Sequence, residues 1–100
     1  MEQLLAMLKD EPYDSFLNYA LALEYAKAGD LHQAINLIEA VLKRDENYLG
    51  AYYQLGKQYE MIGNMEQAVS VYTRGIVIAR KQNNRKAVNE LNEALQQLED

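Results

Sequence analysis

The chain has 100 residues, a net charge of −5 and no cysteine. That size suits one domain and leaves little interior for a deep catalytic cleft with a cofactor. The acidic balance argues against a nucleic-acid partner, which needs clustered cations, and the missing thiols exclude disulfides and thiolate metal sites.

Apolar residues recur at three- and four-residue spacing almost throughout, strand-like alternation is absent, and Pro12 is the only proline. The spacing predicts an all-α fold of about six helices over residues 2–9, 14–28, 31–44, 48–62, 65–81 and 84–98. Connections as short as these make successive helices antiparallel. The charge is uneven along that path. Residues 1–50 carry four Lys/Arg against nine Asp/Glu, and residues 51–100 carry six of each.

The first helix begins "MEQLLAMLKDEP". Its acid at Glu2 and short apolar run speak against a secretory leader. No run in the chain reaches the length of a membrane span, so a cytoplasmic protein with no membrane partner is expected. Leu4 and Leu8 share one packing face. "LLAML" is nevertheless apolar on more than one side, so a homodimer through Leu4, Leu5 and Leu8 is the alternative to a monomeric binder.

Between the later helices, "GDLHQA" and "GNMEQA" use the same device. Gly29 and Gly63 can close a helix in the left-handed conformation, since no Cβ opposes it. Asp30 and Asn64 follow as N-caps, with Gln33 and Gln67 three residues on to complete a capping box. The two devices stand 34 residues apart, and that shift also superposes Tyr19 on Tyr53, Leu21 on Leu55, Tyr25 on Tyr59 and Ala34 on Ala68. Ala22 meets Gly56, and Ile35 meets Val69. One shared phase is the mark of an internal repeat. The small residues Ala22, Gly56, Ala34 and Ala68 fall where two helices cross closely. Tyr25 and Tyr59 are large enough to fill space between neighbouring repeats.

The run "GIVIA" at 75–79 is apolar all round, which predicts a helix covered on both sides. Val88, Leu91, Leu95 and Leu98 give the last helix an inward stripe, with Asn89, Glu90, Asn92, Glu93, Gln96 and Gln97 as its wet face. Arg80, Lys81, Arg85 and Lys86 form the only cationic cluster. It reads as solvated helix ends, although cations in a first turn oppose the helix dipole and can mark an anion-facing site.

Catalysis finds no support. His32 is the only histidine and lies in a first turn beside the Asp30 cap. A metal site would need carboxylates around it, and no Asp/Glu pair recurs there at helical spacing. No glycine loop for phosphate is present. No enzyme activity, cofactor or metal is expected.

On Tyr52, Leu55-Gly56, Tyr59, Gly63, Ala68 and Tyr72, the stretch 49–82 resembles a unit of the tetratricopeptide-repeat (TPR) family. The stretch 15–48 resembles it through Leu21-Ala22, Tyr25, Gly29 and Ala34, with Ile38 at the later aromatic position and Asn18 where an aromatic belongs. Glu46 and Arg80 replace the closing proline, and Val41 and Gly75 replace the second alanine. Pro12 stands at the closing-proline position of a preceding unit. The resemblance implies a right-handed solenoid of helical hairpins in a small two-repeat protein of bacterial type. Its parts would be a half-repeat helix and linker (1–14), two repeats (15–48 and 49–82) and a capping helix (83–100).

The family also implies the role: a non-catalytic scaffold or binding module whose first helix in each unit lines a concave, peptide-binding groove. Carried over by position, the groove residues are Phe16, Tyr19, Leu23 and Ala26, then Gly50, Tyr53, Lys57 and Glu60. Tyr52 is assigned to packing and Tyr53 to the ligand. The cationic clamp that some relatives use for acidic C-terminal tails is missing, since Tyr19 and Leu23 occupy two of its positions. The ligand expected is an apolar or aromatic peptide with one acidic group opposite Lys57.

Overall fold

The computed structural model describes residues 1–99. Its elements are α1 (Glu2–Asp10), α2 (Ser15–Lys27), α3 (Leu31–Arg44), α4 (Gly50–Met61), α5 (Met65–Lys81) and α6 (Arg85–Glu99). No strand occurs among the described residues. The chain divides into two compact units, Met1–Tyr48 and a second that begins at Leu49.

In the first unit, α1 packs on α2, and α2 packs on α3. The core is Leu17, Leu21 and Ala22 of α2 with Ala34, Ile35, Ile38, Val41 and Leu42 of α3. Asn18, which stands where the family places an aromatic, is buried with them. Its amide Nδ2 donates to the carbonyls of Pro12 (3.0 Å) and Asp14 (2.9 Å). The side chain thus replaces ring packing with two bonds that fasten the α1–α2 connection, and its buried donor is satisfied. The Asp14 side chain caps α2 by accepting from Leu17 N–H at 2.8 Å. No residue of α1 is fully buried.

In the second unit, α5 lies against both α4 and α6. Gly75 makes this double contact close. A Cβ there would stand 2.7 Å from Tyr52 Cβ on one side and 3.1 Å from Leu91 Cδ1 on the other. Tyr52, assigned to packing, is 3% exposed. Gly56 does the same for α4: a Cβ on it would fall 2.7 Å from Tyr72 Cδ1 and closer still to Cε1 and Cζ. The expectation that Gly56 marks a close crossing is met by an inserted aromatic ring.

Two sequence expectations need correction. Val77 is 47% exposed, so the "GIVIA" segment is covered on most of its circumference but not on all of it. The capping boxes form by half. Asp30 Oδ1 accepts from Gln33 N–H (3.3 Å) and Asn64 Oδ1 from Gln67 N–H (3.2 Å). The returning arm from the glutamine side chains is not made. The N–H groups of Asp30 and Asn64 donate instead to the carbonyls of Tyr25 (2.9 Å) and Tyr59 (2.8 Å), closing the preceding helix. Gly29 (φ 89°) and Gly63 (φ 83°) supply the left-handed residue this closure requires.

A third copy of the turn joins α5 to α6, with Asn83 (φ 56°) in the left-handed position. Asn84 N–H donates to Ala79 O at 2.9 Å, and Asn84 Oδ1 accepts from Ala87 N–H at 3.0 Å. Asparagine tolerates this conformation better than other side chains do, which is why "NN" can stand in for "GN".

Candidate functional site

In the second unit, the spacing of Gly50, Tyr53, Lys57 and Glu60 places them on one side of α4. Tyr53 is half-buried, its ring tilted 49° to that of Tyr72 with centroids 6.3 Å apart. Lys57 Nζ lies 5.4 Å from the Tyr53 ring centre and 3.7 Å from Glu60 Oε2. Glu60 in turn accepts a hydrogen bond from the Tyr72 hydroxyl. Two routes therefore join Lys57 to the core ring of Tyr72, one through Glu60 and one through the Tyr53 ring. Burial, and next the Glu60 bond and charge, push the Tyr72 hydroxyl far above the usual tyrosine range.

Two adjoining cavities open beside Tyr53, and both have α6 as their other wall. The larger has a volume of about 280 Å³, with Leu49, Gly50, Tyr53, Ala87 and Leu91 supplying its apolar lining. Asn84, Lys86 and Glu90 supply its polar lining. The smaller, about 150 Å³, lies between Tyr53 and Lys57 on one side and Glu90, Glu93, Ala94 and Gln97 on the other. Tyr53 and Glu90 belong to both. Such volumes suit individual side chains of a ligand better than a whole cofactor.

The α6 wall contains none of the residues that the sequence nominates for the groove. Glu90, Glu93 and Gln97, a wet face by their spacing, are exposed, and they also border the cavity. Their i, i+3, i+7 spacing was the available signal. It could not distinguish water from a cleft, because that depends on where α4 lies. Lys57 and Glu60 are present on the expected face, but they already hold each other. The expected acidic ligand group opposite Lys57 thereby loses its support.

In the first unit, the α2 residues fare differently. Phe16 is 64% exposed, whereas Tyr19 and Leu23 are half-buried. Tyr19 leans on Tyr48, ring centroids 5.3 Å apart at 53°. Burial, then repulsion from the charge of an ionised Tyr48 hydroxyl, raises the Tyr19 hydroxyl pKa. Burial, then Asp14 and Asp45, does the same for Tyr48. Nearby, the Arg44 guanidinium sits 5.0 Å above the ring centre of the exposed Tyr13. His32 is exposed. Among the described residues no group of three His, Asp or Glu could hold a metal, and no helix is long and apolar enough to cross a membrane.

A family model described as anaphase-promoting complex, cyclosome, subunit 3 matches residues 1–75. A tetratricopeptide repeat domain protein from Salinibacter ruber, solved by crystallography, is 37% identical. The match covers 86% of this chain and 96% of that one, with a TM-score of 0.80. The chain belongs to the tetratricopeptide-repeat family. A solution structure of such a domain protein from the same organism is 38% identical, over 88% of the TPR chain described here and 89% of its own, with a TM-score of 0.84. A Bordetella parapertussis protein, also solved in solution, is 28% identical over 97% of this TPR chain and 84% of its own, with a TM-score of 0.85. No curated protein matches the chain. TPR units are in general protein-interaction modules, and protein partners follow from membership at that level.

Proposed function

We propose that the chain is a non-catalytic interaction module that holds a peptide or protein segment in the groove implied by its repeats. Its two repeats would be 15–48 and 49–82, after the half-repeat 1–14 and before a cap at 83–100. In the first repeat the ligand would meet Phe16, Tyr19 and Leu23, and in the second Tyr53, Lys57 and Glu60. The observation that carries this reading is the pair of cavities sharing the half-buried Tyr53. A half-buried tyrosine that lines two cavities suits recognition, because it offers a large rigid surface at small entropic cost. Neither a nucleic-acid nor a membrane partner is part of this reading, and a cytoplasmic setting agrees with the cysteine-free composition.

A pull-down from cell extract tests it. Tyr53→Ala is expected to lose partners while circular dichroism still reports a helical fold. Unchanged recovery of partners by the folded variant would sink the proposal.

A second reading is self-association through α1. Leu4 and Leu8 are half-buried, whereas Leu5 and Met7 are 44% and 49% exposed. An isologous contact would therefore use Leu5 and Met7 more than Leu4 and Leu8. Light scattering showing a monomer at high concentration would remove this alternative.

A further inference from the structure

The charges that line the Tyr53 cavities are unevenly engaged: Lys57, Glu90 and Glu93 line the smaller one, Lys86 and Glu90 the larger. On the α4 side, the Lys57 ammonium is 3.7 Å from Glu60 and also lies over the Tyr53 ring. Its charge is met from both directions. On the α6 side, Glu90 and Glu93 form no ion pair among the described residues, although both border the smaller cavity. Lys86 lines the larger cavity together with Asn84 and Glu90, and forms no ion pair there among the described residues. The larger cavity is mostly apolar where Leu49, Ala87 and Leu91 line it. The pair of cavities thus offers an apolar seat for one large side chain next to two unneutralised carboxylates.

From this we infer that the segment bound at Tyr53 is a basic–aliphatic one, with a large apolar residue seated in the larger cavity. An adjacent arginine or lysine lies against Glu90 and Glu93 over the smaller one. The inference rests on the groove reading and adds the ligand's chemistry to it. Successive residues of an extended strand advance about 3.3 Å, so neighbouring ligand side chains can serve two cavities that share a wall. A guanidinium is the better cation here. Its planar donors suit paired carboxylates. An acidic segment would meet two carboxylates and find Lys57 already engaged. A phosphate backbone would be repelled in the same way. The last helix then does more than cap the core: it carries the residues that select the ligand.

The test uses two peptides, Ac-Gly-Ser-Gly-Leu-Leu-Arg-Arg-Gly-Ser-Gly-NH2 and its Glu-Glu counterpart, titrated into the full ¹⁵N-labelled chain. The arginine peptide is expected to shift the amides of Tyr53, Glu90 and Glu93, and to bind at least about tenfold more tightly than the glutamate peptide. A Glu90→Gln/Glu93→Gln variant keeps the fold, since both side chains are exposed. It is expected to lose that preference and to flatten the salt dependence of arginine-peptide binding. Equal or tighter binding of the glutamate peptide at the same amides would overturn the inference and leave the groove reading intact. Preference for arginine that persists in the double variant would also overturn it. Shifts absent from these amides with both peptides would overturn the inference, while the groove reading stands or falls on the pull-down.

Discussion

The two units build a helical hairpin from the same 34-residue pattern and fill it differently. Where the first unit has Ala22 and Ile38, the second has Gly56 and Tyr72, and all four are buried. The larger ring at 72 stands against the residue that has given up its Cβ. The exchange has a functional consequence. Ile38 ends in methyl groups, whereas Tyr72 ends in a hydroxyl that must find a partner when buried. It finds Glu60, and Glu60 holds Lys57 beside Tyr53. The second unit therefore ties its core to its candidate binding face through these side chains. In the first unit, the equivalent tyrosine, Tyr19, leans on Tyr48 instead.

The largest effect comes from undoing that exchange. Gly56→Ala puts a Cβ into the Tyr72 ring and is expected to cost about 1–3 kcal/mol, and Tyr72→Ile alone about 2–4 kcal/mol. The double variant copies the first unit's pair and is expected to lose clearly less than the sum in urea unfolding. Additive losses would mean that the two positions do not compensate.

Next come the helix caps. Asp30→Ala and Asn64→Ala are each expected to cost about 1 kcal/mol, because each removes one bond to the N–H three residues on. Losses that differ several-fold in thermal unfolding would break the equivalence of the two turns.

Tyr72→Phe removes the hydroxyl bond to Glu60 at about 0.5–1.5 kcal/mol. It should also change the alkaline limb of stability. Folding raises the Tyr72 pKa, by burial first and by Glu60 second, so the folded state prefers the protonated phenol. That contribution is fully present below the unfolded pKa of about 10 and is lost as pH rises above it. Melting temperatures measured from pH 8 upward should therefore fall less steeply in Tyr72→Phe. Some slope should persist from Tyr19 and Tyr48, whose values are also raised. Identical slopes with and without the phenol would contradict the assignment.

The smallest effect concerns Gln58, the counterpart of the half-buried Glu24. Gln58 is 2% exposed, and neither end of its amide finds a hydrogen-bond partner among the described residues. Gln58→Leu keeps comparable volume without a polar group to satisfy. It is expected to be neutral or to stabilise by up to about 1 kcal/mol in chemical denaturation. A loss above 1 kcal/mol would show that the amide is satisfied by solvent.

The helices were readable because their signals are local. Apolar spacing of three and four, Gly29-Asp30 and Gly63-Asn64 act within one turn of chain, and all six helices fall within two residues of their expected bounds. The candidate site was readable on α4, where Tyr53, Lys57 and Glu60 share a face by spacing alone. The opposite wall was not, because Glu90 and Glu93 look like any wet helix face until α4 stands across from them. The bond from the Tyr72 hydroxyl to Glu60 was also hidden, because it joins residues twelve apart on two different helices.

By itself, then, the sequence determined the helix pattern, the repeat period, the two glycine turns and the packing role of Tyr52. All of these follow from backbone preference and from periodicity along the chain. Only the tertiary structure decided that Tyr72 presses on Gly56, that Gly75 admits α4 and α6 to opposite sides of α5, and that Glu90 and Glu93, with no ion pair among the described residues, border the cleft. These depend on distances between helices, which side-chain volumes set only when the helices pack.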